Sequence, residues 1–252
     1  MKTVHLAAMA LLGLTITSCK KDAETPPSST PSTPTTATVS AHIGFVSGTA
    51  PFDPDTTFID GQGRNVRITK LKFYAHDLHL VDDLDNTVGD FHDRIILVDA
   101  IAGTGHFDLG EMQASHVHEI HLAFGLDSAS TYGHPDQTTA PAPLNDADMT
   151  WAWNVAMGRM FVKLEGFVDA NGNNAPDSGE GFEYHGIGAN MTPVHWHGHL
   201  HTDISGGSTH TFHLQLDVAA LVDGLALDGM YHDDGAEIQQ LMQALANALD
   251  TH

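Results

Sequence analysis

From Val39 onward, apolar residues recur at every second position in short runs, and clusters of Gly, Asp, Asn and Pro separate the runs. That is the pattern of strands joined by turns. Leu71–Val81 places Leu71, Phe73 and Ala75 on one parity and Tyr74, Leu78 and Leu80 on the other. Phe91–Val98 ends in an apolar run. Val117–Phe124 aligns His118, Ile120, Leu122 and Phe124, and Met160–Phe167 reads as another strand. Thr209–Val218 aligns His210, Phe212, Leu214, Leu216 and Val218. Breaks such as Asp82–Asn86 and Tyr132–Asn145 have turn chemistry. Several short strands at this spacing predict an all-β fold, an antiparallel β-sandwich. One segment is helical by its period: Gly235–Leu249 brings Ile238, Leu241, Leu245 and Leu249 to one face, a short C-terminal helix.

The first residues do not follow this pattern. Met1-Lys2 precedes an apolar stretch from Leu6 to Ile16, and Ile16-Thr17-Ser18-Cys19 ends it like a lipobox. Residues 1–19 therefore read as a lipoprotein signal peptide, too short to span a bilayer. The single cysteine of the chain sits where acylation would attach it to a lipid bilayer. Each buried lipid CH₂ contributes about 0.8 kcal/mol, so a multiply acylated Cys19 makes a stable anchor. The alternative is an unlipidated export signal in which Cys19 is incidental. Residues 20–38, rich in Pro, Ser and Thr, read as an extended linker, and 39–252 as one domain. The expected location is the cell envelope, as an outer-membrane lipoprotein facing the periplasm or the surface.

Charge and composition narrow the chemistry. The formal net charge is −22, with 32 acidic residues against ten basic ones. That excludes nucleic acid as a partner, since phosphates require a basic patch. It also excludes charge-driven docking on anionic lipid. Past Cys19 the chain has no cysteine, hence neither disulfides nor thiolate ligands. Any metal must be held by imidazole, carboxylate, thioether or carbonyl groups, and the chain has 19 histidines.

The densest histidine pattern is Val194-His-Trp-His-Gly-His-Leu-His201. His195, His197, His199 and His201 share one strand parity, and Val194, Trp196 and Leu200 the other. Alternate residues on a strand project from one face about 6.6 Å apart, close enough for two imidazoles to share an ion. Four span roughly 20 Å, too far for one ion. This ribbon is either one metal site with spare ligands, two sites, or a solvated polar face. His195-Trp-His-Gly198 also resembles the first copper motif of multicopper oxidases, but those enzymes need a cysteine ligand, so that reading is set aside.

A second pattern is Asp169-Ala-Asn-Gly-Asn-Asn-Ala-Pro-Asp-Ser-Gly-Glu180. Asp169, Asn171, Asn173, Asp177 and Glu180 fall at the oxygen positions of a calcium loop. Asn174 stands where such loops carry glycine, and the same residues suit a hairpin loop. Calcium and turn chemistry both remain open. His118 and His210 lie on apolar parities and are expected as core histidines. Met149, Met157 and Met160 offer soft sulfur, though core packing is their commoner use.

Met149-Thr-Trp-Ala-Trp-Asn154, followed by Phe161-Val-Lys-Leu-Glu-Gly166, resembles the hallmark of the methanobactin-associated MbnP-like copper-binding domains. Weaker pieces agree in order: Val39–Gly44, Leu71–Tyr74, Phe124–Ser128 and Phe182–Gly186. The resemblance covers about residues 39–216. It implies a β-sandwich that binds copper outside the cytoplasm. It implies a partner, a di-haem cytochrome c peroxidase-like protein that oxidises a tryptophan to kynurenine. Trp151 and Trp153 are the candidates, and His42 and His185 match the family's histidines as copper ligands. This chain departs from the family at Ala156-Met157-Gly158-Arg159, where a Gly-Tyr is usual, and the ribbon is additional.

The sequence thus favours copper binding in acquisition or homeostasis, without catalysis on a substrate. Three alternatives stay open: a zinc or general transition-metal protein using the ribbon, a mononuclear copper redox enzyme, and a lectin-like sandwich with structural calcium.

Overall fold

A computed structural model describes residues 35–134, 139–151, 153–188 and 191–252. The segment read as a signal peptide, with Cys19, and most of the stretch read as a linker lie outside them. The strands, in chain order, are β1 (Thr36–Ser47), β2 (Ala50–Pro51), β3 (Phe58–Ile59), β4 (Asn65–Val81), β5 (Thr87–Phe91), β6 (Ile96–Asp99), β7 (His106–Gln113) and β8 (Ser115–Phe124). A short helix α1 (Ser128–Tyr132) follows, then β9 (Met160–Val168), β10 (Gly181–Ile187), β11 (Val194–Ile204) and β12 (Thr209–Asp217). The chain closes with α2 (Val218–Val222), β13 (Met230–Tyr231), α3 (Ala236–Ala248) and β14 (Leu249–Thr251).

Two sheets form the β-sandwich. One has the order β14-β12-β1-β2, with β7 also paired to β1. The other has the order β11-β8-β4-β9-β10-β13, with β3, β5 and β6 also paired to β4. Most pairings are antiparallel, but β1 runs parallel to β12, and β10 parallel to β13. Local alternation cannot reveal this, because either direction of pairing gives a strand the same period. β1 begins at Thr36, inside the stretch read as linker, because Ala37 is buried and pairs with Met112. The predicted Phe91–Val98 strand is broken between β5 and β6, where the Arg94 amide donates to the Phe91 carbonyl at 2.8 Å.

The core lies between the sheets. Val39, Ala41 and Ile43 of β1 and Phe212, Leu214 and Leu216 of β12 face inward from one side. Val66, Ile68 and Leu80 of β4, Ile120 and Leu122 of β8, and Leu164 of β9 face inward from the other. The predicted helix is α3, with Ile238, Leu241, Met242 and Leu245 buried. It packs close on β10: a Cβ on Gly186 would meet Ile238 at 2.8 Å.

The register makes the outer face of the larger sheet continuous. Lys163 and Glu165 of β9 pair with His185 and Glu183 of β10, and Lys72 of β4 pairs with Lys163. Farther along, His79 of β4, His121 of β8 and His197 of β11 stand in one row. Two groups of imidazoles lie on this face.

Candidate metal centre

The connection between β8 and β9 folds over the outer face and is fastened there by charge. Lys70 Nζ lies 3.0 Å from Asp148, Lys72 Nζ 3.1 Å from Asp146, and Lys163 Nζ 2.9 Å from Asp148. Burial opposes ionisation of Asp148, but Lys163 and Lys70 outweigh it and hold the carboxyl well below its ordinary range. The Tyr74 hydroxyl donates to the Pro143 carbonyl at 3.1 Å. Arg159, 2% exposed, donates to the carbonyls of Leu144, Ser130, Thr131 and His134. The connection is therefore fastened by polar contacts to long side chains as well as by the burial of Leu126, Leu144 and Met149.

An isolated bridge between Thr150 and Arg159 closes the last part of this connection. The turn it closes carries both tryptophans, and their rings lie 5.8 Å apart. Beneath them is a pocket of about 250 Å³, lined by Trp151, Trp153, Met160, Glu183, His185 and His232 among others. His185 and His232 stack with centroids 4.2 Å apart and planes 2° from parallel. Trp151 meets His232 edge-on at 5.9 Å.

Glu183, His185 and His232 each present one ligand atom, and the three atoms lie within 4.8 Å of one another. His185 Nε2 is 2.8 Å from Glu165, and His232 Nε2 is 3.0 Å from Glu183. A carboxylate on one ring nitrogen fixes the imidazole and leaves the other nitrogen to a cation. The hydrogen bond from His185 is the main reason the Glu165 carboxyl lies below its ordinary value. All three converging residues are half-buried, so an ion here would be partly shielded from water.

The family model for MbnP matches residues 36–240 of the chain. The chain belongs to the MbnP family. Its fold is similar to that of MbnP from Methylosinus trichosporium, with a TM-score of 0.53 and 13% identity over 80% of this chain and 82% of that one. Comparison with curated protein sequences returns no match.

Within this MbnP-family domain, Trp151, Trp153 and His185 come together, but His42 does not join them. His42 alternates with the buried Ala41 and Ile43, so it projects from the outer face of the smaller sheet. Its ring neighbours are His213 at 5.7 Å and His106 at 6.4 Å. His185 projects from the outer face of the larger sheet, so the core lies between them. The resemblance pairs them; the opposed side-chain directions of the two sheets separate them. His232, which completes the group, showed no pattern in sequence. It lies beyond the two-residue β13, and only the β10–β13 pairing brings it to His185.

The ribbon forms β11, with His195, His197, His199 and His201 exposed and Trp196 buried. Gly198 has a steric reason: its Cβ would meet the Trp196 ring at 2.5 Å and Thr251 at 2.6 Å. Trp196 Nε1 donates to the Leu249 carbonyl at 3.1 Å, which fixes the inward parity and sends the histidines outward. His118 is not a core histidine. Val117 and Ile120 are both buried, so the alternation slips between them, and His118 and Glu119 turn toward the ribbon. Glu119 and His121, which share a parity in sequence, signalled this cluster in part.

The 169–180 loop carries the hydrogen bonds expected of turn chemistry. Asp169 Oδ1 accepts from the amides of Gly172 and Asn173, and Oδ2 from that of Asn174. Asn171 and Asn173 accept from amides two residues on and donate to Asp177. Glu180 accepts from the amides of Ala170 and Asp177. Asn174 adopts φ 54°, the left-handed position that glycine fills in calcium loops. N–H donors of the loop therefore engage the side-chain oxygens predicted to bind calcium. Met149 and Met160 are buried, and Met160 also lines the tryptophan pocket.

Proposed function

We propose that this protein binds copper outside the cytoplasm, in the pocket formed by Trp151, Trp153, Glu183, His185 and His232. One observation carries the reading: an indole pair and an imidazole pair share a thiol-free pocket. Two imidazoles and a carboxylate suit Cu(II), which tops the divalent affinity series. Indole nitrogen is a donor only and cannot ligate. Kynurenine would add an aniline nitrogen and a carbonyl to the same wall. We assign the modification to Trp151, which is half-buried and touches His232, whereas Trp153 is 87% exposed.

The oxidation balances with peroxide as oxidant. Tryptophan and two hydrogen peroxide give N-formylkynurenine and two water, with cleavage of the indole C2–C3 bond. Water then hydrolyses the formamide and releases formate. The electrons lost by the tryptophan would pass through the di-haem peroxidase-like partner to the peroxide. The role is binding, in copper acquisition or homeostasis, and not turnover of a substrate. Cys19 would carry the lipid anchor in the cell envelope.

Titration of the purified chain with Cu(I), Cu(II) and Zn(II) tests the site. His185→Ala and His232→Ala each weaken copper binding at least about tenfold, since each removes an imidazole ligand. His42→Ala leaves it unchanged. Wild-type copper affinity in both pocket variants would remove the site. Fragment mass spectra of chain matured with its partner should place a gain of about 4 Da on Trp151, the covalent change expected for kynurenine.

A further inference from the structure

The outer face carries a second constellation, on β8 and β11. Glu119 is at its centre, with a side chain only 12% exposed. Its Oε2 is 2.9 Å from His121 Nε2 and 3.2 Å from His197 Nδ1, and its Oε1 is 3.1 Å from His199 Nδ1. Glu119, His121 and His197 each offer an atom within 4.8 Å of the other two, and so do His118, His199 and His201.

Two backbone irregularities build the second set. Between His199 and Thr202 the register shifts by one residue, and His201 adopts φ 47°. The bulge re-aims His201, whose ring then lies 4.4 Å from that of His118 and 5.8 Å from that of His199. His118 Nδ1 is buried and has no hydrogen-bond partner. A buried nitrogen left unpaired beside two other imidazoles is costly unless something binds it. His201 also stands near Asp83 and His116, but His116 is held by Asp203 at 2.8 Å.

We propose that this face binds two divalent transition ions of borderline softness, such as Zn(II) or Cu(II), one at Glu119, His121 and His197 and one at His118, His199 and His201. Glu119 links the centres, as a ligand of the first and as the carboxylate that orients His199 in the second. Imidazole and carboxylate donors suit these ions, and no thiolate is present to favour softer ones. The tryptophan pocket is independent of these centres. Its donors Glu183 and His185 stand on β10, three strand spacings from β8, on the order of 14 Å across the sheet.

The test uses the full chain carrying His185→Ala and His232→Ala, so that the tryptophan pocket does not contribute. Zn(II) and Co(II) titrations should show two bound equivalents, with Co(II) giving visible absorption from nitrogen-rich coordination. Adding His121→Ala should remove one equivalent, and adding His118→Ala the other. Glu119→Gln should weaken the His118 centre by roughly 10–100-fold, the usual effect of losing an orienting carboxylate. Circular dichroism and melting of each metal-free variant confirm folding, and Glu119→Asp should restore part of the affinity. A single equivalent, or His118→Ala and His121→Ala abolishing the same event, would overturn the proposal. So would binding that neither variant changes. Failure here leaves the pocket reading intact, since the copper affinity lost on His185→Ala or His232→Ala in the otherwise wild-type chain tests that separately.

Discussion

Asp148 shows how one side chain can hold a functional loop. It meets Lys70 and Lys163 at 3.0 and 2.9 Å, with its side chain 35% exposed. Its folded pKa is depressed, so its stabilisation is complete above the ordinary value of 3.8 and is lost as pH falls through the lower folded value. Asp148→Asn should cost about 1 kcal/mol at pH 7, after discounting charge-assisted hydrogen bonds for solvent screening. Chemical denaturation of both proteins at pH 7 and pH 3 checks this: the difference should shrink at the lower pH. Trp196 acts through packing instead. It fills the space over Gly198 and donates to Leu249, so Trp196→Ala should destabilise the chain by about 3–5 kcal/mol in urea titration.

The decisive element is the connection from β8 to β9. It covers the middle of a sheet face, and a buried arginine bonded to four backbone carbonyls ties it together. Arg159→Met keeps the bulk of the side chain but leaves those carbonyls without their donor. It should lower stability by about 3 kcal/mol, the scale for hydrogen bonds from a charged group. It should also weaken copper binding in the pocket, because the Thr150–Arg159 bridge closes the turn that carries Trp151 and Trp153. Metal binding to the β8–β11 histidines should not change, and calorimetry of Arg159→Met with and without His185→Ala and His232→Ala separates these effects. Ala156–Arg159, the departure from the family's usual Gly-Tyr, thus includes the residue that fastens the connection.

Over the whole molecule, the larger sheet presents both imidazole groups on one outer face, and the smaller sheet presents His42, His106 and His213 on the opposite side. With a net charge of −22, the surface raises the local concentration of cations. Metal should raise the melting temperature at pH 7.5. The gain should be gone by about pH 5, because imidazoles must be neutral to ligate. Melting scans with and without Zn(II) across that range check it. The division into faces was partly legible in sequence, since β11 alternates cleanly and Glu119 and His121 share a parity. The slip that turns His118 outward was not, because it depends on how β8 pairs with a strand some eighty residues later.

The sequence alone determined the all-β class, the C-terminal helix, the absence of thiols past Cys19, the outward histidines of 195–201 and the family motif around Trp151. These depend on short-range periodicity and side-chain chemistry, which the chain carries locally. Tertiary structure decided which imidazoles meet. It placed His232 against His185, moved His42 to the far side of the core, and set Glu119 among three histidines. Those outcomes depend on strand order, bulges and the direction of pairing, which join residues far apart in the chain and leave no periodic trace in it.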